Sequence, residues 1–138
     1  MREILFRGKD FSGVINHSWC FGSLDTTEKD RAVIIYPDRF GNKCRVFVNP
    51  DTVGQYTCWT DKNGVKIFDG DIVRHTQNYD LSGTVVSVGI VKWSSCYGGW
   101  LIGDFSNGRA DMFLANEKHR IEIIGNIHDN PELLKEVL

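Results

Sequence analysis

"TDKNGVKIFDGDIV", residues 60–73, is the stretch on which the fold prediction rests. It places four oxygen-bearing side chains close to two glycines: Asp61, Asn63, Asp69 and Asp71, with Gly64 and Gly70. A calcium loop of the EF-hand type needs oxygen ligands at alternate positions and a glycine at the sixth. Counted from Asp61, the fifth position is Val65 and the sixth is Lys66, so that pattern fails. We interpret the stretch as two turns, each with a glycine that tolerates positive φ, on either side of a short strand.

The composition indicates a globular chain that needs no metal or disulfide to fold. It has 138 residues, of which 41% are hydrophobic and 25% charged, and its 14 glycines and 3 prolines suit a β-rich chain with many tight turns. The net charge is −2. Residues 1–60 carry eight basic and seven acidic side chains, and residues 61–138 carry eight and eleven. The absence of a basic block argues against electrostatic attraction to nucleic acid or to a membrane.

The beginning of the chain predicts a cytoplasmic protein. "MREILFRGKDF" has no apolar run of signal-peptide length, and no later stretch has the length of a membrane span. In the cytoplasm the four cysteines would be reduced thiols. Their spacing matches no paired zinc-ligand pattern, so we interpret them as buried structural cysteines: Cys20, Cys44, Cys58 and Cys96.

Short alternating runs separated by turns predict a mainly β fold. "CRVFV" places Cys44, Val46 and Val48 on one side of a strand, and Arg45 and Phe47 on the other. "TVVSVGIVKW" is a long apolar run, in which we expect Gly89 to mark a bulge or bend. "CYGGWLIGDF" is its expected hairpin partner, with a turn over residues 94–99.

The aromatic residues of this hairpin form the candidate binding surface, Trp93, Tyr97 and Trp100. Exposed Trp and Tyr side chains contribute contact area at low entropy cost. Trp93 and Trp100 are also placed to be cross-strand neighbours in a core, and we favour that interpretation for these two. Tyr97 fits either interpretation.

The end of the chain predicts a short helix of about two turns. Asn130 is the expected N-cap and Pro131 occupies the first helical position. An apolar stripe follows at helical spacing: Leu133, Leu134, Val137 and Leu138.

Residues that could carry chemistry are few. The sequence has no phosphate loop, dinucleotide fingerprint, zincin pair or nucleophile elbow. His17 and Cys20 could be drawn as an imidazole–thiol pair, but no oxyanion site accompanies them. His75, His119 and His128 show no ligand spacing. We therefore predict no catalytic residue, no cofactor and no metal site, and we do not expect an enzyme.

Three stretches taken together resemble the YopX family, which is encoded mainly by bacteriophages and prophages. They are "REILFRGK", "TVGQYTCWTDKNGVKIFDGDIV" and "IEIIGNIHDNPELL". The resemblance implies a mostly β fold with a small barrel-like C-terminal part, similar to SH3-type barrels, and it brings no catalytic residues. Cys58-Trp59 departs from the pattern, in which a small residue and then an apolar one are expected.

These observations give one set of predictions. The fold is mainly β, with short strands and hairpins, an SH3-like small barrel in the C-terminal half and a short C-terminal helix. Residues 1–138 form a single domain, with a division into lobes 1–60 and 61–138 left open.

For function, we expect a non-enzymatic phage or prophage accessory protein that binds a host or phage protein. A small β-barrel module that binds nucleic acid is the alternative. A cysteine hydrolase is the third and least favoured class, and a homo-oligomer is left open.

Overall fold

Both turn signals in residues 60–73 produce the turns predicted from them. Asp61 Oδ1 accepts hydrogen bonds from the backbone N–H of Asn63 at 2.9 Å and of Val65 at 3.0 Å. Gly64 has a φ of +80° and Gly70 a φ of +88°, a region that favours glycine. The strand between the two turns is Lys66–Phe68. The turn interpretation is confirmed.

The computed structural model describes residues 1–13 and 15–134. The chain divides into two units, Met1–Tyr56 (unit 1) and Thr57–Leu138 (unit 2). This boundary lies inside the strand Gly54–Thr60. The division into lobes 1–60 and 61–138 that the sequence leaves open has its boundary at the end of the same strand.

Within the described residues, unit 1 contains five strands: β1 (Phe6–Lys9), β2 (Trp19–Asp25), β3 (Ala32–Pro37), β4 (Lys43–Val48) and the first residues of β5 (Gly54–Thr60). They form an antiparallel sheet in the order β4-β3-β2-β1-β5, and β5 pairs with β1 through its first residues. The apolar side of β4 packs into a core with β2 and β3 that contains Cys20, Ala32, Ile34, Val46 and Val48. The alternation predicted for β4 is confirmed, because Val46 and Val48 are buried while Arg45 and Phe47 are exposed.

The elements of unit 2 are β6 (Lys66–Phe68), β7 (Asp71–Tyr79), β8 (Gly83–Ser94), β9 (Gly99–Gly103), β10 (Met112–Phe113), α1 (Leu114–Glu117) and β11 (Ile121–Asn126). Five of these strands form an antiparallel sheet in the order β10-β9-β8-β7-β11. Its core contains Ile67, Val73, Val91, Ile102, Phe105, Leu114 and Ile121. The mainly β class is confirmed. In the described part of unit 2, β10 and β11 are edge strands and the sheet does not close, so the SH3-like barrel stays a prediction.

Two details of unit 2 differ from the sequence expectation. Gly89 marks no bulge: it stands opposite Val73 in regular register. A Cβ at this position would lie 2.9 Å from the Gly103 carbonyl oxygen and 2.9 Å from the Phe105 ring, so the glycine permits a close approach instead. Helix α1, followed by a 3₁₀ turn over Lys118–Arg120, was not predicted.

The described part of the predicted C-terminal helix is a 3₁₀ turn, Pro131–Leu134, rather than an α-helix. The Asn130 side chain does not cap it as expected, because its Oδ1 accepts a hydrogen bond from the Asn126 backbone N–H at 3.3 Å. Leu133 and Leu134 are half-buried, and Glu132 is exposed. Val137 and Leu138 lie outside the described residues.

Candidate binding surfaces

Two aspartates of residues 60–73, Asp61 and Asp71, are buried and accept hydrogen bonds from backbone amides. Besides its turn, Asp61 accepts a hydrogen bond through Oδ2 from the backbone N–H of Ile123 in β11, at 3.0 Å. Asp71 Oδ2 accepts one from the backbone N–H of Phe68, at 2.7 Å. Within the described residues, no group of three or more His, Cys, Asp or Glu side chains is arranged to hold a metal ion. Through these hydrogen bonds the carboxylates of Asp61 and Asp71 stabilise the fold.

The hairpin aromatics do not form one surface. Trp93 and Trp100 stand opposite each other on β8 and β9, with their rings edge-to-face at a centroid distance of 5.4 Å. Trp100 packs against the core of unit 2, whereas Trp93 remains 53% exposed. Tyr97 instead packs edge-to-face on Phe113, at 5.8 Å. Because Phe113 pairs with Leu101, the residue after Trp100, the Tyr97–Phe113 pair lies on the opposite face of the sheet.

A concave apolar surface lies in unit 1, where the sequence predicted none. This apolar cavity has a volume of about 310 Å³. Its apolar lining comes from the loop after β1, from the facing strands β3 and β4, and from the 3₁₀ turn after β4: Phe11, Ala32, Phe47, Val48 and Pro50. Ser12, Asp30 and Arg31 contribute the polar part of the lining. Concave surfaces with mostly apolar walls and a few polar groups are typical of binding sites.

Two phenylalanines stand at the cavity with much of their surface in water. Phe11 is 68% exposed and Phe47 is 40% exposed. The backbone N–H of Phe11 donates to the Phe47 carbonyl oxygen at 2.9 Å, which holds the two residues side by side. The Arg31 guanidinium lies over the Phe47 ring, 5.2 Å from its centroid. Phe47 is exposed because the alternation of β4 directs it away from the core.

Asp10 fixes the loop that carries Phe11. Its buried carboxylate accepts hydrogen bonds from the backbone N–H groups of Ser12, Ile15 and His17, and from the Ser12 hydroxyl. Burial alone would raise the pKa of Asp10, but these hydrogen bonds outweigh it and lower the pKa below its ordinary value. The loop is therefore preorganised around a charged carboxylate.

The candidate imidazole–thiol pair is not assembled. His17 Nδ1 lies 3.0 Å from the carbonyl oxygen of Asp10, and the Cys20 thiol donates to the carbonyl oxygen of Gly8 at 3.4 Å. Burial raises the pKa of the Cys20 thiol, and the negative charge of Asp10 adds to this effect. A buried, protonated thiol is a poor nucleophile. The four cysteines, all among the described residues, form no disulfide bond. Cys20 alone is buried as predicted, whereas Cys44 and Cys58 are half-buried and Cys96 is exposed.

A buried histidine in unit 2 was missed as a site residue. His75 lies on β7 with its side chain fully buried. Its Nδ1 lies 3.5 Å from Arg109 Nη1. Because a guanidinium only donates, Nδ1 must accept and the ring proton sits on Nε2, which lies 3.7 Å from Glu117 Oε2. The only signal in the sequence is that His75 alternates with apolar Val73 in the predicted strand "DIVRHT".

Burial holds the pKa of His75 below its ordinary value, because the charged imidazolium would lose its hydration. The Glu117 carboxylate opposes this shift, and the positive charges of Arg109 and Arg120 add to it. Glu117 itself pairs with Arg120. At neutral pH, His75 is therefore an uncharged core residue.

Comparison with known proteins places the chain in a family. The family model described as "YopX protein" matches residues 6–135. The chain belongs to the YopX family. The crystal structure of protein EF1440 from Enterococcus faecalis is similar to this YopX chain, with a TM-score of 0.56 over 97% of this chain and 99% of that one. At 20% sequence identity, this likeness concerns the fold alone.

Two further findings concern the same chain. A search of curated proteins finds no match. In the part of the YopX chain that the structure describes, no helix combines the length and the apolar character needed to cross a bilayer.

Proposed function

We propose that this YopX protein is a non-enzymatic accessory protein of phage or prophage origin that binds a partner protein of the host or the phage through the apolar cavity of unit 1. The observation that carries the proposal is the cavity itself, with exposed Phe11 and Phe47 at its edge. Aromatic side chains next to a concave apolar surface are typical of the centres of protein interfaces. The partner would bury these rings.

The charges of the lining favour one kind of occupant. Arg31 covers the Phe47 ring and lies 3.7 Å from Glu28, so its charge already has a partner. Within the described residues, Asp30 has no ion-pair partner. We therefore propose that the cavity accepts an apolar side chain of the partner and that Asp30 faces a neighbouring lysine or arginine.

Phe11 is suited to the role of an anchor. The hydrogen bonds to Asp10 fix its loop before any partner arrives, so little loop entropy would be lost on binding. A preorganised aromatic side chain of this kind contributes strongly to affinity.

Binding of single-stranded nucleic acid is the second candidate. It is favoured by aromatic rings that lie next to cations, such as Trp19 beside Arg7 and Lys9. The evenly spread net charge of −2 argues against it. A salt titration separates the two, because affinity for nucleic acid falls steeply with salt, whereas an interface with an apolar core is much less sensitive.

The proposal is tested by locating the binding site of a selected peptide. A library of random short peptides is panned against the full-length protein, and the winning peptide is titrated into ¹⁵N-labelled protein. We expect an apolar residue next to a basic one in the peptide, and shifted amide resonances at Phe11, Asp30 and Phe47. The assignment to the cavity would be overturned by amide shifts centred instead on the hairpin aromatics Trp93, Tyr97 and Trp100. It would also be overturned if shifts appeared only when the protein associates with itself.

A further inference from the structure

The loop between β9 and β10, residues 104–111, is fixed on the sheet of unit 2 at several points. Phe105 is buried in the core. Asn107 Nδ2 donates to the hydroxyl of buried Ser87 at 2.9 Å. The two ends of the loop meet at Lys92, whose Nζ lies 3.4 Å from Asp104 Oδ1 and 3.5 Å from Asp111 Oδ2. The position of the loop therefore does not depend on a charge at Arg109.

The Arg109 guanidinium is nevertheless held in place, and only by neutral groups. Nη2 donates to Gln77 Oε1 at 3.3 Å and to the Tyr79 hydroxyl at 3.0 Å, and Nη1 lies 3.5 Å from His75 Nδ1. Within the described residues, no carboxylate lies within ion-pair distance of Arg109. The nearby carboxylate of Glu117 is paired with Arg120. A half-buried cation thus has no counter-charge among the described residues.

The groups around Arg109 could add donors to an anion. Arg109 has five N–H groups and these contacts use only some of them. Tyr79 keeps its own hydroxyl proton after accepting from Arg109, and the Gln77 amide N–H₂ lies beside the oxygen that accepts. Residues 75, 77 and 79 alternate along β7 and therefore share one face. Tyr79 is 41% exposed, so this face is open to water at its end.

We propose that Arg109, together with Gln77 and Tyr79, binds a phosphoryl oxyanion. Guanidinium groups match the oxygen geometry of phosphate and form strong charge-assisted hydrogen bonds with it. The anion would supply the negative charge that the described residues do not provide. Its source is either a small phosphorylated molecule or the backbone of a single-stranded nucleic acid, and these share the same chemistry.

The site is tested by titrating inorganic phosphate into ¹⁵N-labelled full-length protein at constant pH and ionic strength. We expect saturable shifts at the amides of Gln77, Tyr79 and Arg109, with a dissociation constant below about 1 mM. Arg109→Gln should weaken binding at least tenfold. Arg74→Gln is the matched control: it removes an equal charge from β7, the strand that carries Gln77 and Tyr79, but from the exposed opposite face of that strand, and should leave affinity unchanged.

Tyr79→Phe is the second variant, because it removes one hydroxyl and leaves the guanidinium. We expect it to weaken phosphate binding several-fold, without loss of the folded spectrum. In a second arm, an oligothymidylate is added to the phosphate complex. Displacement of phosphate identifies a nucleic-acid backbone as the source, and no displacement identifies a small phosphorylated molecule. Absence of saturable binding, or equal weakening by Arg109→Gln and Arg74→Gln, would overturn the proposal.

Discussion

Among single residues, Cys58 has a backbone conformation that does not suit its side chain. Its φ is +70°, in the left-handed region. The family resemblance led us to expect a small residue here, and this φ gives the reason. For a residue with a Cβ, the left-handed conformation costs roughly 1–2 kcal/mol relative to the right-handed one, and glycine avoids that cost.

We predict that Cys58→Gly raises the free energy of unfolding by about 1 kcal/mol, measured by urea denaturation. Cys44→Gly is the matched control, since Cys44 is equally half-buried but lies within β4 without a positive φ. There the glycine should lower stability by about 0.5–1 kcal/mol. A loss of stability in both variants would show that the side-chain contacts of Cys58 outweigh its backbone strain.

His75 makes the stability of the protein depend on pH. In the folded state the pKa of His75 lies below the ordinary value of 6.5, whereas the unfolded chain titrates near that value. Acidification through pH 6.5 therefore protonates the unfolded chain preferentially, and the stabilisation present above this pH is lost as the pH falls towards the folded-state pKa. The charged groups that influence this titration are Glu117, Arg109 and Arg120.

We predict that the free energy of unfolding of the wild type falls by about 1 kcal/mol more than that of His75→Asn between about pH 7.5 and 5.5. The comparison uses urea denaturation at each pH. His17, His119 and His128 are present in both proteins, so their contributions cancel. Parallel pH profiles would contradict the buried, neutral state assigned to His75.

Among the elements, the turn at Asp61 joins two parts of unit 2. Its carboxylate accepts three backbone N–H groups, two in its own turn and one from Ile123 in β11. Asp38 makes a comparable turn in unit 1, where it accepts the backbone N–H groups of Phe40 and Asn42, but these bonds are exposed to solvent.

We predict that Asp61→Ala lowers the free energy of unfolding by about 1–3 kcal/mol, because amides at a largely buried site lose their acceptor. Asp38→Ala should cost less, since water can replace the exposed carboxylate. Urea denaturation measures both. An equal loss in the two variants would show that the link to β11 contributes nothing.

An element could be predicted from the sequence when the residues that determine it are close together in the chain. The turns at Gly64 and Gly70 and the β8–β9 hairpin depend on neighbouring residues and were predicted correctly. Helix α1 has four residues, too few to show a helical period. The bulge predicted at Gly89 is absent, because this glycine instead permits the close approach of Phe105 and Gly103, which lie elsewhere in the sequence.

For the whole molecule, the sequence predicted the class of the fold but not its cavity. Phe11 and Phe47 belong to different elements and meet only because β1 runs on to an isolated bridge between Asp10 and Val48. The alternation of "CRVFV" did place Phe47 on the polar side of its strand, which was the one available signal. Nothing local indicated that Phe11 would stand next to it.

The two proposed sites lie in different units and are tested independently. The cavity belongs to unit 1, and the Arg109 site to unit 2. The variant Arg109→Gln, which should weaken phosphate binding, should therefore leave the affinity for the peptide unchanged. A negative result for one site would not count against the other.

The most direct test of the proposed function compares two exposed phenylalanines of unit 1. Phe11 stands at the cavity, and Phe40 is 77% exposed in the β3–β4 turn, away from the cavity lining. The affinity of the selected peptide is measured by calorimetry for wild type, Phe11→Ala and Phe40→Ala. We predict that Phe11→Ala weakens binding at least tenfold, about 1.4 kcal/mol, while Phe40→Ala leaves it unchanged. Equal affinities in all three proteins, or equal losses in both variants, would contradict binding at the cavity.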